Sequence, residues 1–184
     1  MSKSRRPENT EHVSYYSRYT ALVPDGPIVE TLRAQGEETA AFLARVPADR
    51  EEHRYAEGKW SVKEVLGHLT DAERVFSYRV LRIARGVETP LAGFDENRYV
   101  PAGRFGARSL KSIAEEFRAV REATLRLLDG LDEEAFARTG VANDDPVTVR
   151  ALAWIMAGHE RHHVALLKER YELGTTGAGA VSKG

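Results

Sequence analysis

Four stretches of this chain repeat apolar residues at three- and four-residue intervals, and each is closed by a residue that stops a helix. That rhythm places side chains on one face of a helix, and it leaves little room for a sheet-based fold. The first stretch runs from Ile28 to Val46 and buries Val29, Leu32, Phe42, Leu43 and Val46 before Pro47 ends it. The second opens with Ser61 and Glu64, an S-x-x-E capping box, and carries Val62, Val65, Leu69, Ala72, Phe76, Val80 and Ile83 until Gly86. The third spans Ser109 to Asp129 and stops at Gly130; the fourth starts near Thr148 and runs to Leu173-Gly174. A short turn or helix is expected over Asp132–Ala137, and no segment reads as a convincing strand. Four amphipathic helices of this length predict an all-α fold, a four-helix bundle with a long crossover loop over Val87–Ala107.

The domain reading follows from these bounds. Residues 1–26 form an irregular N-terminal arm, with Tyr15, Tyr16 and Tyr19 as anchors and a turn at Pro24–Pro27. Residues 27–174 form a single bundle domain, and residues 175–184, rich in Gly, Ala, Thr and Ser, form a disordered tail. The 27 basic and 28 acidic residues nearly cancel and are interspersed, so no electrostatic footprint for nucleic acid or an anionic membrane is present. The polar start, Met1–Thr10, has no apolar signal core, and the expected location is cytoplasmic. With no cysteine, thiolate ligands are excluded, and a metal would have to be held by His, Asp or Glu.

The fourth stretch contains His159-Glu160-Arg161-His162-His163. Four residues apart on a helix, His159 and His163 stack on one face and can reach one metal ion. Both fall within about 20° of the centre of a stripe made by Leu152, Ile155, Met156, Leu166 and Arg170. Burying two unpartnered imidazoles at the centre of an apolar face is costly, which favours ligation over a purely structural role. His162 lies at the edge of the stripe, and Glu160 points away from its centre. On the second stretch His68 flanks the apolar face beside Val65 and Ala72 and could meet the pair across the bundle. Asp71, three residues on, could accept from an imidazole N–H or serve as a further ligand; a surface salt bridge is the plain alternative. Glu160 and His162 are weighed in the same two roles. His12 and His53 stand in polar context and read as surface residues.

The run also spells H-E-x-x-H, the pattern of zinc metalloproteases. No metzincin extension follows, and Glu160 is rotated about 100° from His159. No edge strand offers itself to a peptide, so a protease does not fit. A di-iron carboxylate site needs two E-x-x-H pairs, and only Glu160-x-x-His163 exists.

Trp60-Ser61-Val62-Lys63-Glu64-Val65-Leu66-Gly67-His68-Leu69-Thr70-Asp71-Ala72-Glu73 resembles the second-helix motif of the DinB/YfiT-like superfamily. Gly158-His159-Glu160-Arg161-His162-His163 resembles its final-helix motif, and Pro90–Asn97 looks typical of one branch. The resemblance covers roughly residues 28–173. It implies a bundle with an extended crossover and a divalent metal held by His68, His159 and His163. It also implies kinship with dimeric proteins and with thiol-dependent transferases and isomerases that use bacillithiol, mycothiol or glutathione.

Three neutral imidazoles leave an ion its full charge and an open position, as catalytic sites do. Zinc is the first choice, with nickel or iron admissible. The expected partners are a small-molecule substrate, a low-molecular-weight thiol as cosubstrate, and a second copy of the chain. The homodimer is expected from the back of the last helix, where Ala153, Trp154, Ala157, Val164 and Ala165 leave it apolar on all sides. The alternative cover for that face is the long loop with Phe94, Tyr99 and Phe105. The function expected is a metal-dependent transferase, thiol S-transferase-like, or a hydrolase. The alternative is a non-enzymatic bundle, stapled by its metal, that acts as a binding or stress-response module.

Overall fold

The computed structural model describes residues 5–173; the tail read from the sequence lies outside them. Seven helices and one hairpin are present among these residues: α1 (Ser17–Thr20), α2 (Ile28–Leu43), α3 (Val62–Ala84), α4 (Glu96–Gly103), α5 (Leu110–Asp129), α6 (Glu133–Ala137), β1 (Thr139–Ala142), β2 (Asp145–Thr148) and α7 (Val149–Glu169). The bundle is α2, α3, α5 and α7. α3 packs on α5 and α7, and α2 packs on the same two, so α2 and α3 face each other across a diagonal. That arrangement sets the His68-bearing helix directly beside the one carrying His159 and His163. No helix among the described residues is long and apolar enough to cross a membrane.

Local chemistry explains the helix ends. Ser61 Oγ accepts from the Glu64 amide at 3.3 Å, and the Glu64 carboxylate accepts from the Ser61 amide at 2.7 Å, the reciprocal box expected from the sequence. Gly86, at φ +74°, lets the chain leave α3 in a left-handed turn. Ser109 and Thr148 cap α5 and α7 through the amides of Ser112 and Ala151. The last helix is shorter than expected and stops at Glu169. Tyr171 and Leu173 then fold back into the core, where the Tyr171 hydroxyl donates to the Trp60 carbonyl at 2.6 Å.

Three expectations need correction. Strands do exist: β1 and β2 form a hairpin through Asn143 and Asp144, both at positive φ, the conformation that two-residue hairpin turns require. Leu91, from the crossover, adds a short parallel bridge to Ala142. The crossover itself is not structureless, since Asp95 caps α4 inside it and Phe105 plugs into α3. The arm is also ordered: it holds a 3-10 turn at Ser14–Tyr16 and α1, which lies along α7.

That last contact covers part of the face on which a dimer is expected; Val164 stays half-buried and Ala165 exposed on the back of α7. Ala153, Trp154 and Ala157 are fully buried, and the arm covers them within the same chain. Arg6 stacks over the Trp154 ring at 4.6 Å, and Gly158 meets the Tyr19 carbonyl so closely that a Cβ there would lie 2.0 Å from its oxygen. Glu11 fastens the arm further, accepting from Arg150 at 2.9 Å and from the Thr148 hydroxyl at 2.8 Å. His12, read as a surface residue, is consequently 5% exposed, with its Nδ1 at 2.9 Å from the Val13 carbonyl. His53 is half-buried, edge-on to Tyr171.

The core is divided in two. One apolar cluster gathers Ile28, Leu32, Val80, Leu128 and Ile155, and the other gathers Phe42, Val65, Leu66, Ile113 and Leu167. Between them every bundle helix turns a polar residue inward: Gln35, His68 and Glu73, Arg121, and His159 and Glu160 are all buried.

Candidate metal centre

His68 sits two turns into α3 because the capping box fixes where that helix begins. The residue before it, Gly67, has no side chain to hold off Phe105, whose ring would lie 2.4 Å from a Cβ there. Gly158 plays the same part before His159, with Tyr19 in place of Phe105. Both histidines are thus preceded by a glycine at which an accessory segment closes on the bundle, and this local arrangement seats the two rings.

His68 and His159 are buried and His163 is half-buried. One ring nitrogen from each lies within 4.8 Å of the others. The Nε2 atoms of His68 and His159 are 3.0 Å apart, and the ring centroids of His159 and His163 are 4.6 Å apart. Burial pushes the His68 ring down to about 4. Burial, then repulsion from His68, His162 and Arg18, takes His163 down to about 3. His159 is driven well below the ordinary imidazole range by burial and then by His163 and His68. All three are therefore neutral at pH 7, the state a metal ligand needs.

The donor set fits a divalent cation. Two nitrogens bound to one zinc ion at about 2.0–2.1 Å each lie roughly 3–3.4 Å apart, which matches the His68–His159 spacing. Nδ1 of His163 is buried with no hydrogen-bond partner. Among the described residues, no carboxylate joins the three rings to compensate or seal them.

The other residues singled out in the sequence fall elsewhere. His162 is exposed at the rim, its ring 5.0 Å from that of His163 and 5.6 Å from that of Tyr19. Asp71 turns to Arg74 at 3.6 Å, and burial raises its pKa. Glu160 is buried on an adjoining face of α7 and accepts from Arg121 at 2.7 Å and from the Gln35 amide. Among the described residues, neither acid is hydrogen-bonded to an imidazole. Helix phase sets Glu160 away from the stripe's centre, and there it meets Arg121, a partner that the spacing of α7 does not reveal.

That arginine centres a buried network missed in the sequence. It grips Glu73 with two bonds, Nε to Oε1 at 2.7 Å and Nη2 to Oε2 at 2.6 Å, and donates from Nη1 to the Leu32 carbonyl at 2.8 Å. The signal was present: Ile113, Phe117, Arg121, Thr124 and Leu128 share one face of α5, so a charged side chain interrupts an apolar stripe. A void of about 10 Å³ lined by His159, Glu73 and Glu160 marks where network and histidines adjoin.

A cavity of about 380 Å³ opens onto the three histidines. Its walls include Tyr16, Tyr19, Trp60 and Phe76, with the charged groups Arg18, Arg79, Glu96 and Asp145 around them. The arm, the crossover and the hairpin each contribute, so this site is assembled by the segments that the bundle pattern alone leaves out.

Comparison with known proteins agrees with this architecture. The model of the DinB superfamily matches residues 31–167. No curated protein matches. Among solved structures, YfiT from Bacillus subtilis, described as a probable metal-dependent hydrolase with an unusual four-helix bundle topology, superposes with a TM-score of 0.69 at 17% identity, over 92% of this chain and 93% of that one. A mycothiol-dependent maleylpyruvate isomerase superposes at 0.62 with 14% identity, over 74% of this chain and 58% of that one. The DinB-like protein YjoA from Bacillus subtilis gives 0.57 at 21% identity, over 79% and 89%. These likenesses concern the fold; with a family match spanning most of its length, the chain belongs to the DinB superfamily.

Proposed function

We propose that this protein is a metal-dependent enzyme acting on a small molecule, with a divalent ion, zinc first, held by His68, His159 and His163. The observation that carries the reading is the three neutral imidazoles gathered at the floor of a 380 Å³ cavity. When bound, the ion supplies Lewis-acid chemistry, lowering the pKa of an oxygen or sulfur donor that reaches it. The protein's own residues do the rest. Tyr19, Trp60 and Phe76 wall the cavity and limit water. His162, its pKa lowered by burial and then by Arg18, is neutral at pH 7 and can accept a proton at a ring nitrogen.

Hydrolysis and thiol S-transfer both suit this arrangement; of the three structural relatives named above, one is described as a probable metal-dependent hydrolase and another as a mycothiol-dependent isomerase. With no cysteine in the chain, a transferase needs a cosubstrate thiol. The reading is tested by metal analysis of the purified protein, followed by two screens. One follows hydrolysis of activated esters and amides; the other follows thiol consumption with mycothiol, bacillithiol or glutathione and a panel of electrophiles. Turnover that His68→Ala abolishes supports an enzyme and chooses the chemistry. A protein that binds no divalent metal, or whose turnover is indifferent to His68→Ala, sinks it. The second reading, a metal-stapled bundle, is favoured by the His68–His159 contact across α3 and α7. It predicts metal-dependent stability with no turnover in either screen.

A further inference from the structure

Three arginines are buried among the described residues: Arg79, Arg121 and Arg150, at 4%, 4% and 1% exposure. Arg121 is held by Glu73 and Glu160, and Arg150 by Glu11. Among the described residues, Arg79 forms no ion pair with a carboxylate. Its Nη2 donates to the Ala92 carbonyl at 2.9 Å, Tyr16 lines the cavity wall with it, and its guanidinium lies 5.9 Å from the centre of the Phe76 ring. Glu96 and Asp145 line the same cavity, yet neither forms an ion pair with Arg79. A buried guanidinium keeps its charge and its planar fork of donors, and the neutral Ala92 carbonyl leaves both the charge and part of the fork unanswered.

The position matters as much as the charge. Arg79 lies eleven residues after His68, which brings it back to the same face of α3, about 16 Å along the axis. Both residues line one cavity. We infer that the substrate is an elongated organic acid whose carboxylate is anchored by Arg79 while its reacting end reaches the histidines. A planar carboxylate matches the guanidinium fork in two parallel bonds and neutralises a charge that the fold leaves open. The remaining arginine of the cavity, Arg18, is exposed and stacked on Tyr15 and Tyr19 at 3.9 and 4.8 Å, which leaves Arg79 as its buried one.

This inference rests on the proposed function only in taking the cavity as the substrate site, and the test separates the two. Benzoate and its neutral isostere benzamide are titrated by calorimetry into the full-length zinc-treated protein and into Arg79→Met, Arg79→Lys and His68→Ala. Benzoate should bind the wild type and His68→Ala, and weaken by about 30-fold or more in Arg79→Met; benzamide should not distinguish them. If Arg79→Met does not fold, Arg79→Lys decides, with benzoate weakened roughly tenfold because a point charge cannot replace the fork. Benzoate affinity unchanged in the Arg79 variants, or absent from the wild type at millimolar concentration, overturns the inference. Binding that vanishes in His68→Ala and survives Arg79→Met places the anion at the metal and overturns it too. Arg79-dependent binding in a protein that holds no zinc leaves this inference standing and removes the metal reading.

Discussion

His159 and Glu160 are neighbours in sequence and belong to opposite kinds of buried polar cluster. Glu160 enters a network in which Arg121 finds acceptors for Nε, Nη1 and Nη2, leaving Oε1 of Glu160 without a partner. His159 enters a group of three bases with no acid among them. The first cluster sets Arg121 between two carboxylates of the same chain, and the void that Glu73 and Glu160 line is only about 10 Å³. The second faces a cavity, stays neutral by burial, and is completed only by something from outside. Both lie in the polar layer between the same two apolar clusters, so burial alone does not tell a structural polar group from a functional one. What tells them apart is whether the protein supplies the partner.

The sharpest way to break this contrast is to remove one member of each cluster. Arg121→Met strands two buried carboxylates and should cost about 3–5 kcal/mol in denaturant unfolding. His68→Ala in metal-free protein removes a base with no acidic partner and should cost clearly less. Equal losses would mean the histidines are as structural as the network.

Acid should act on the histidines next. Their folded-state pKa values lie below the ordinary 6.5, so below that pH the unfolded chain takes up protons that the folded chain refuses. Stability of the metal-free protein is then complete above 6.5 and falls as pH drops toward about 4 for His68 and about 3 for His163. For His68 alone the loss is on the order of 3 kcal/mol. Thermal midpoints measured in chelator across this range check it; a flat profile between pH 6.5 and 4 contradicts the burial that defines the cluster. The same depression moves the pH at which protons displace a bound metal below the value near 6 expected of exposed imidazoles.

Zinc gives a somewhat smaller effect of opposite sign. At free zinc 100-fold above its dissociation constant, the protein should gain about 2.7 kcal/mol. His68→Ala, His159→Ala and His163→Ala should each lose most of that gain and most bound metal by mass spectrometry, whereas a folded Glu73→Gln should keep both. The smallest change belongs to His162→Ala. With an exposed ring outside the trio, it should alter stability by no more than about 0.5 kcal/mol and retain the metal. Metal lost from His162→Ala and kept by His163→Ala would reassign the third donor.

Much of this could be read from the chain. The Ser61–Glu64 box, the Gly86 and Gly130 stops and the apolar spacing locate the bundle helices to within a few residues, because those signals are local. The i, i+4 pair at His159 and His163 follows from helix geometry, and His68 from its place beside Val65 and Ala72. What escaped was set by tertiary contact. Arg121 and Glu73 look like breaks in apolar stripes until both helices are brought together. The Asn143-Asp144 turn is too short to announce a hairpin without its neighbours. His12 lies in a polar run and is buried because Glu11 ties that run to Arg150. Arg79 reads as one more helical arginine until its surroundings show the acid it lacks.

The closeness of Tyr19 to Gly158 has a practical consequence. The stretch recognised as the family domain begins at residue 31, yet the backbone of residue 19 rests against the helix immediately before His159. A protein trimmed to 31–167 would keep all three imidazoles and lose Tyr16, Tyr19 and Arg18 from the cavity, along with the cover over Trp154. It would bare an apolar strip, invite self-association, and report the affinity of an open trough for whatever it was offered. The unit of inheritance and the unit of recognition have different borders here, and assays belong on the longer one.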